Sequence, residues 1–124
     1  MALIACAGWP MAVSASPEPI TLGAASPKNS PDTAIFRGGL VYANYCVTCH
    51  GINADGNGRT ARLYNPRPAN LRATDKNADY VELIVRKGGE AIGRSDKMPP
   101  WGEELTDEQI RDVVFFVKSF SVKS

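Results

Sequence analysis

The chain of 124 residues is long enough for one small domain with a thin core. Acidic and basic side chains nearly balance at a formal net charge of +1, and no run of Lys and Arg indicates a nucleic-acid partner. The hydrophobic content of 44% is ordinary for a soluble globular protein, and three cysteines are too few for a disulfide-dense scaffold. In so small a domain, a large bound cofactor would supply much of the buried apolar surface.

The N-terminal part is predicted to lie outside the folded domain. Residues 1–15 are small, apolar and uncharged and end in Val-Ser-Ala, which is typical of a secretory signal cleaved after Ala15, although the usual positive start is missing. A second hypothesis is a lipoprotein signal, Leu-Ile-Ala-Cys, in which Cys6 carries a lipid anchor; a third is that neither processing occurs. Either export route predicts a periplasmic or otherwise extracytoplasmic protein, with or without a membrane tether. Residues 16–30, rich in Ser and Pro, are predicted to be a flexible linker, which leaves residues 31–124 as the domain.

The first helix is predicted to begin at Pro31, with Ser30 as its N-cap, and to run to about Tyr45. Gly38 and Gly39 lie in its interior, where each costs about 1 kcal/mol relative to alanine. Such a cost indicates that another element approaches closely at this point. The alternative is a helix that is frayed or broken at the two glycines.

Two further helices follow. One is predicted after the N-cap Asn77 and ends at Gly88 and Gly89. The last begins with a capping box formed by Thr106 and Gln109. Its apolar positions follow the i, i+3, i+4, i+7 spacing of one helix face: Ile110, Val113, Val114 and Val117. No stretch shows sustained alternation of period two, so the predicted fold class is all-α with three main helices.

Chemistry is indicated by the C-x-x-C-H motif formed by Cys46, Cys49 and His50, a pattern typical of covalent haem attachment. Two thiols at this spacing can add to the two vinyl groups of one porphyrin, and the adjacent imidazole can bind its iron. A zinc site would need a second pair of Cys or His ligands, and His50 is the only histidine. A thioredoxin-like dithiol would need a βαβ setting, which the pattern does not predict. We therefore expect one covalently attached haem c.

A second axial ligand for the iron cannot be histidine. Met98 is the only methionine outside residues 1–15, and Pro99 and Pro100 follow it. The two prolines exclude a helix there and stiffen an extended loop, which suits a loop that holds a weak sulfur ligand. The alternative is that Met98 is ordinary core filler. We predict that His50 and Met98 are the two metal ligands.

With these motifs, the chain resembles the class I cytochromes c over about residues 31–121, in particular small bacterial monohaem cytochromes and the haem domains of electron-entry subunits of terminal oxidases. Four features carry the resemblance: Gly38 with Tyr42, Cys46 to His50 followed by Gly51, the run Pro68-Ala69-Asn70-Leu71, and Met98-Pro99 before the terminal helix. It implies a small cytochrome c fold, with helices and loops wrapped around one haem. It also implies that the first and last helices cross where Gly38 and Tyr42 meet Val113 and Phe116.

The same resemblance implies roles around the cofactor. The carbonyl of Pro68 or Pro66 is expected to accept the Nδ1–H of His50, which would fix the tautomer of the ring. The residues expected to pack on the haem are Leu71, Tyr80 and Trp101. Apart from the resemblance, three arginines are expected to be solvated, with the alternative that one of them pairs with a haem propionate: Arg59, Arg62 and Arg67.

Residues 53–58 imitate the first half of a calcium loop, with oxygen-bearing side chains at alternate positions and a glycine at the sixth. The twelfth position, where a calcium loop needs a bidentate Glu, is Tyr64. We interpret the segment as a glycine-rich turn that follows the attachment motif.

With His50 and Met98 both bound, the iron has no open position for a substrate. The predicted function is therefore that of a one-electron carrier between redox protein partners, not of an enzyme. Its donor would be a reductase or dehydrogenase and its acceptor an oxidase or another redox protein. Two alternatives stay open: a haem domain fixed in a larger oxidoreductase complex, and a haem sensor or peroxidase-like enzyme in which Met98 leaves the iron.

Overall fold

The structure, a computed structural model, describes residues 28–121, which are helical and contain no strand. Its four helices are α1 (Pro31–Tyr45), α2 (Val47–His50), α3 (Ala78–Lys87) and α4 (Asp107–Phe120), and single 3₁₀ turns occur at Ala61–Leu63, Leu71–Ala73 and Glu90–Ile92. The predicted all-α fold with three main helices is confirmed, and α2 adds one turn at the C-x-x-C-H motif. The signal or lipoprotein segment with Cys6, and the linker up to residue 27, lie outside the described residues.

Local side-chain hydrogen bonds start the three long helices where the sequence predicts. The Ser30 side chain accepts from the backbone N–H of Thr33, and Asn77 Oδ1 accepts from the N–H of Tyr80 at 2.9 Å. The capping box at the start of α4 is present in both directions. Because α1 runs without interruption through both of its glycines, the alternative of a broken helix is wrong.

The glycines of α1 allow α4 to cross it at close range. A Cβ atom on Gly38 would overlap the main-chain carbonyl oxygen of Asp112, so no other residue type fits there without moving a backbone. Next to this point the rings of Tyr42 and Phe116 pack with their centroids 5.2 Å apart. The crossing thus lies where the family resemblance places it.

An ion pair between half-buried Arg37 and buried Asp112 lies at the same crossing. Arg37 binds the carboxylate of Asp112 with two hydrogen bonds, Nε to Oδ2 at 2.6 Å and Nη2 to Oδ1 at 3.0 Å. The carboxylate is buried, and a two-point guanidinium contact compensates it. Arg37 also donates to the carbonyl of Lys28 at 2.6 Å, so the same side chain joins α4 to the chain before α1.

The core lies between α1, α3 and α4. The predicted apolar face of α4 is confirmed, since Ile110, Val113, Val114 and Val117 are all buried. Arg86 joins α3 to the start of α4, with Nη1 2.7 Å from Asp107 Oδ1 and Nη2 2.8 Å from Glu82 Oε1. Among residues 28–121, no helix has the length and apolar character needed to span a membrane.

Replacing Gly38 with alanine should destabilise the protein by about 2 kcal/mol or more, because the added methyl group must displace the backbone of α4. Gly39→Ala is the matched control. Its methyl group would lie 3.2 Å from the edge of the Phe116 ring, which can shift, and alanine gains about 1 kcal/mol of helix propensity. Urea unfolding measures both changes, and equal effects of the two substitutions would contradict the role of Gly38.

Candidate functional site

The C-x-x-C-H motif follows directly from the end of α1. Cys46 caps α1, its N–H donating to the carbonyl of Tyr42 at 2.9 Å, and also precedes the single turn of α2. Gly51 ends α2 with a φ of +86°, a conformation that side chains rarely adopt. The thiols of Cys46 and Cys49 are free, and both residues line one cavity together with His50.

This cavity has a volume of about 360 Å³, within the range of about 300–1,000 Å³ that is typical of cofactor and ligand sites. Its wall is mostly apolar and includes every residue that the sequence analysis assigned to the cofactor: Cys46, Cys49, His50, Pro68, Leu71, Tyr80, Met98 and Trp101. Two thiols, one imidazole and one thioether therefore face the same space. That set of groups fits a porphyrin, which the two thiols could attach covalently and whose metal the imidazole and the thioether could bind.

The imidazole of His50 is oriented by a backbone carbonyl, but not by the expected one. Its Nδ1 lies 3.0 Å from the carbonyl oxygen of Ala69, and neither Pro68 nor Pro66 is the acceptor. The expectation of a proline carbonyl is wrong because the Pro68 carbonyl faces Gly56, where an added Cβ would lie 2.5 Å from its oxygen. The next carbonyl along the chain then faces the ring.

The protonation state of His50 suits metal binding. A carbonyl can only accept, so Nδ1 carries the proton and Nε2 retains a free lone pair. Burial lowers the pKa of His50, and the hydrogen bond to Ala69 opposes that shift only in part. The ring is therefore neutral near pH 7, the form in which imidazole binds a metal.

The cysteine environment does not suit a redox dithiol. Burial, with a smaller effect of the neighbouring Cys49, raises the pKa of the Cys46 thiol to about 12. Dithiol oxidoreductases and thiolate metal sites use cysteines of lowered pKa. Cys49 Sγ lies 3.4 Å from the hydroxyl of Thr60, a neutral partner. Cys46 is thus placed as a neutral thiol at the wall of the cavity.

Met98 is held by the end of α3. Its carbonyl accepts from the N–H of Gly89 at 2.9 Å, and the N–H of Trp101 donates to the carbonyl of Val85 at 2.8 Å. A Cβ on Gly88 would lie only 2.9 Å from the Met98 carbonyl oxygen. The two adjacent glycines therefore do more than end a helix, because they let the methionine loop pack against it. This second role was not predicted, although two adjacent glycines at a helix end are a signal of a close approach by another segment.

The positive charges around the cavity are only partly those expected. Arg67 lines the cavity, whereas Arg59 and Arg62 do not. Three further cations line it that the sequence analysis did not single out: Lys76, Arg94 and Lys97. No motif marks them, because their position depends on how the loops fold.

The segment that imitates a calcium loop is a turn packed against α2. The N–H of Gly56 donates to the carbonyl of His50 at 2.8 Å, and Asp55 Oδ1 accepts from the N–H of Asn57 at 3.0 Å. That hydrogen bond is the main reason that the pKa of Asp55 is lowered. In the described part of the chain, no three His, Cys, Asp or Glu side chains are grouped so that they could hold a metal ion.

Residues 33–117 match the family model of cytochrome c oxidase, cbb3-type, subunit III, and this range contains every cavity residue assigned above. A curated relative, the cbb3-type cytochrome c oxidase subunit FixP of Azorhizobium caulinodans, is 31% identical over 97 residues. That alignment covers 78% of this chain but only 30% of FixP. Among solved structures, a chain of the reducing HAO-like protein complex of Kuenenia stuttgartiensis matches with a TM-score of 0.59 and 29% identity, covering 68% of this chain and 41% of that one.

Tyr42→Phe should lower the free energy of unfolding by about 1–3 kcal/mol. The buried hydroxyl of Tyr42 donates to the carbonyl of Gly51 at 2.7 Å, so its removal leaves that carbonyl without this donor. The control is Tyr64→Phe, because no hydrogen bond to the Tyr64 hydroxyl is present among residues 28–121. Urea unfolding of both variants is the measurement, and equal losses would show that the Tyr42 hydrogen bond contributes nothing specific.

Proposed function

Since the chain belongs to the family of cbb3-type cytochrome c oxidase subunit III, it is a c-type cytochrome domain for electron transfer, and we propose that it holds one haem c covalently through Cys46 and Cys49. The observation that carries this proposal is that both thiols, the His50 imidazole and the Met98 side chain line a single apolar cavity. The attachment motif follows directly from the C-terminal end of α1, so this helix positions Cys46 at the wall of the cavity.

We further propose that His50 and Met98 would be the two protein ligands of the haem iron. The support for His50 is its neutral ring, with Nδ1 bonded to the Ala69 carbonyl and Nε2 left free. Met98 is supported by its place on the cavity wall and by the backbone hydrogen bonds that hold its loop. When bound, the haem supplies a reversible Fe(III)/Fe(II) couple, and a thioether ligand favours the reduced form. With His50 and Met98 both bound, the iron would have no position left for a substrate, so the domain would act as an electron carrier and not as an enzyme.

The cavity wall has a separate task, which is to exclude water from the cofactor. Leu71, Met98 and Trp101 are partly buried and pack on the hydrophobic core. The Trp101 ring also packs edge-on against Tyr45, with centroids 5.4 Å apart. Exposed Pro99 adds an apolar surface beside the cavity, where a redox partner can make brief contact.

The partners we propose are redox proteins, a reductase or dehydrogenase as donor and an oxidase or other acceptor. FixP is named as a subunit of an oxidase, and the Kuenenia stuttgartiensis chain is part of a complex. These relatives favour a second candidate function, in which the same domain is fixed in a larger oxidoreductase complex. We propose an extracytoplasmic location for either case, and Cys6 as a lipid anchor remains an alternative to cleavage after Ala15. Native mass spectrometry separates a lone haem protein from a stable assembly.

The double variant Cys46→Ser/Cys49→Ser should carry no covalent haem, because serine cannot form the thioether bonds. Acid–acetone extraction followed by mass spectrometry measures the haem that stays with the polypeptide. Cys6→Ser is the matched control and should retain a full haem mass. Haem that survives extraction in the double variant would refute covalent attachment at this motif.

Met98→Leu keeps an apolar side chain of similar volume but removes the sulfur. The midpoint potential should fall, the far-red charge-transfer band of Met–Fe(III) ligation should disappear, and the ferrous protein should bind CO. Spectroelectrochemistry and CO titration provide the measurements, with Leu63→Ala, an exposed site away from the cavity, as control. A native ferric protein without that band would instead favour a sensor or peroxidase-like function with an open iron position.

A further inference from the structure

The charge on the cavity wall is of one sign. Among residues 28–121, four cationic side chains line the cavity and no aspartate or glutamate does: the cations are Arg67, Lys76, Arg94 and Lys97. Arg67, Arg94 and Lys97 are exposed and Lys76 is partly buried, so the four charges lie at the rim of the cavity, in contact with water. One-sided charge around such a cavity indicates a ligand that brings negative charge with it.

The two lysines already have acidic neighbours. Lys76 Nζ lies 3.1 Å from Asp75 Oδ1, and Lys97 Nζ lies 2.8 Å from Asp96 Oδ2. Each pair joins adjacent residues, so the compensation is built into the local sequence. Of the four cations at the cavity, Arg67 and Arg94 have no acidic partner within residues 28–121.

Arg94 differs from the other cations in how it is held. Its Nε donates to the hydroxyl oxygen of Tyr80 at 2.9 Å, while its two Nη groups make no hydrogen bond within residues 28–121. Since the Tyr80 oxygen accepts from Arg94, its own proton stays available for donation. The pair thus offers N–H and O–H donors side by side at the wall of the cavity. Arg67, by contrast, donates from Nη1 to Asn57 Oδ1 at 3.4 Å, on a neighbouring turn.

Arg94 is also joined to the methionine loop. Its backbone N–H donates to the carbonyl of Gly89 at 2.8 Å, and the N–H of Gly89 donates to the carbonyl of Met98 at 2.9 Å. Gly93, just before it, has a φ of +72° and turns the chain out of the preceding 3₁₀ turn. Arg94 and Met98 therefore belong to one hydrogen-bonded loop, and a group bound by Arg94 is mechanically connected to the predicted ligand.

We propose that Arg94, oriented by Tyr80, binds a carboxylate of the cofactor, namely one of the two propionate groups of haem c. This inference rests on the proposed function. Arginine suits the task because its planar fork can bind both oxygens of a carboxylate, which lysine cannot do. A cation paired with that carboxylate also opposes the extra positive charge of Fe(III), so Arg94 raises the reduction potential.

The test compares Arg94→Gln with Arg62→Gln, an exposed arginine that does not line the cavity. In Arg94→Gln the ratio of reduced to oxidised protein at a fixed applied potential should fall about threefold, which for one electron corresponds to about 28 mV. The propionate bending mode in the resonance Raman spectrum should shift in the same variant. Tyr80→Phe should change both readouts in the same direction but less, and Arg62→Gln should change neither.

Arg94→Lys keeps the charge and loses the fork, so it should restore most of the potential but leave the Raman mode shifted. The inference is overturned if Arg94→Gln and Arg62→Gln behave alike, or if Arg67→Gln alone moves the propionate mode. If Arg94→Gln does not retain haem, the potential and the Raman mode of Tyr80→Phe and Arg94→Lys test the inference instead. Wild-type values of both quantities in both variants would overturn it. Wild-type protein without covalent haem would refute the proposed function itself, a result that is distinct from an unchanged Arg94→Gln spectrum.

Discussion

The approach of α1 to α4 at Gly38 is the contact on which the rest of the protein depends. Since Gly38 has no side chain, the backbone of α4 lies directly against α1 at the carbonyl of Asp112. At this short distance Arg37 can bind the buried Asp112 carboxylate. One turn further along α1, Tyr42 reaches Gly51 and so braces the segment that carries Cys46, Cys49 and His50. The position of the candidate attachment motif thus follows from a helix crossing that lies outside the cavity.

A second pair of glycines allows the methionine loop to approach α3 closely, as Gly38 allows α4 to approach α1. Gly88 and Gly89 leave room for the carbonyls of the loop at the end of α3, and Gly89 also donates to Met98. Because α3 in turn packs on α4, the position of the methionine loop and the position of the attachment motif both depend on α4. A thin core can therefore hold a large cavity open, and a bound cofactor would complete the packing.

The features predicted well are those that short-range interactions decide. Each helix cap joins residues three positions apart, namely at Ser30, at Asn77 and in the capping box at Thr106. Such contacts are local, so they do not depend on how the helices pack. The buried face of α4 follows from helical periodicity alone. The expected acceptor for His50, the carbonyl of Pro68 or Pro66, precedes the observed Ala69 carbonyl by one or three residues. Every residue offers a carbonyl, and only the path of the loop decides which carbonyl faces the ring.

The sequence by itself determined the all-α class, the start of each long helix and the set of groups available for haem chemistry, since one histidine and one eligible methionine leave few choices. Tertiary structure alone decided that these groups line a common cavity, that Ala69 orients His50, and that Arg94 joins the wall through Tyr80. The last two relations connect residues that are 19 and 14 positions apart, and the first brings Met98 to the distant attachment motif. Such distances are set by how helices cross and loops return, and no local pattern of residues encodes them.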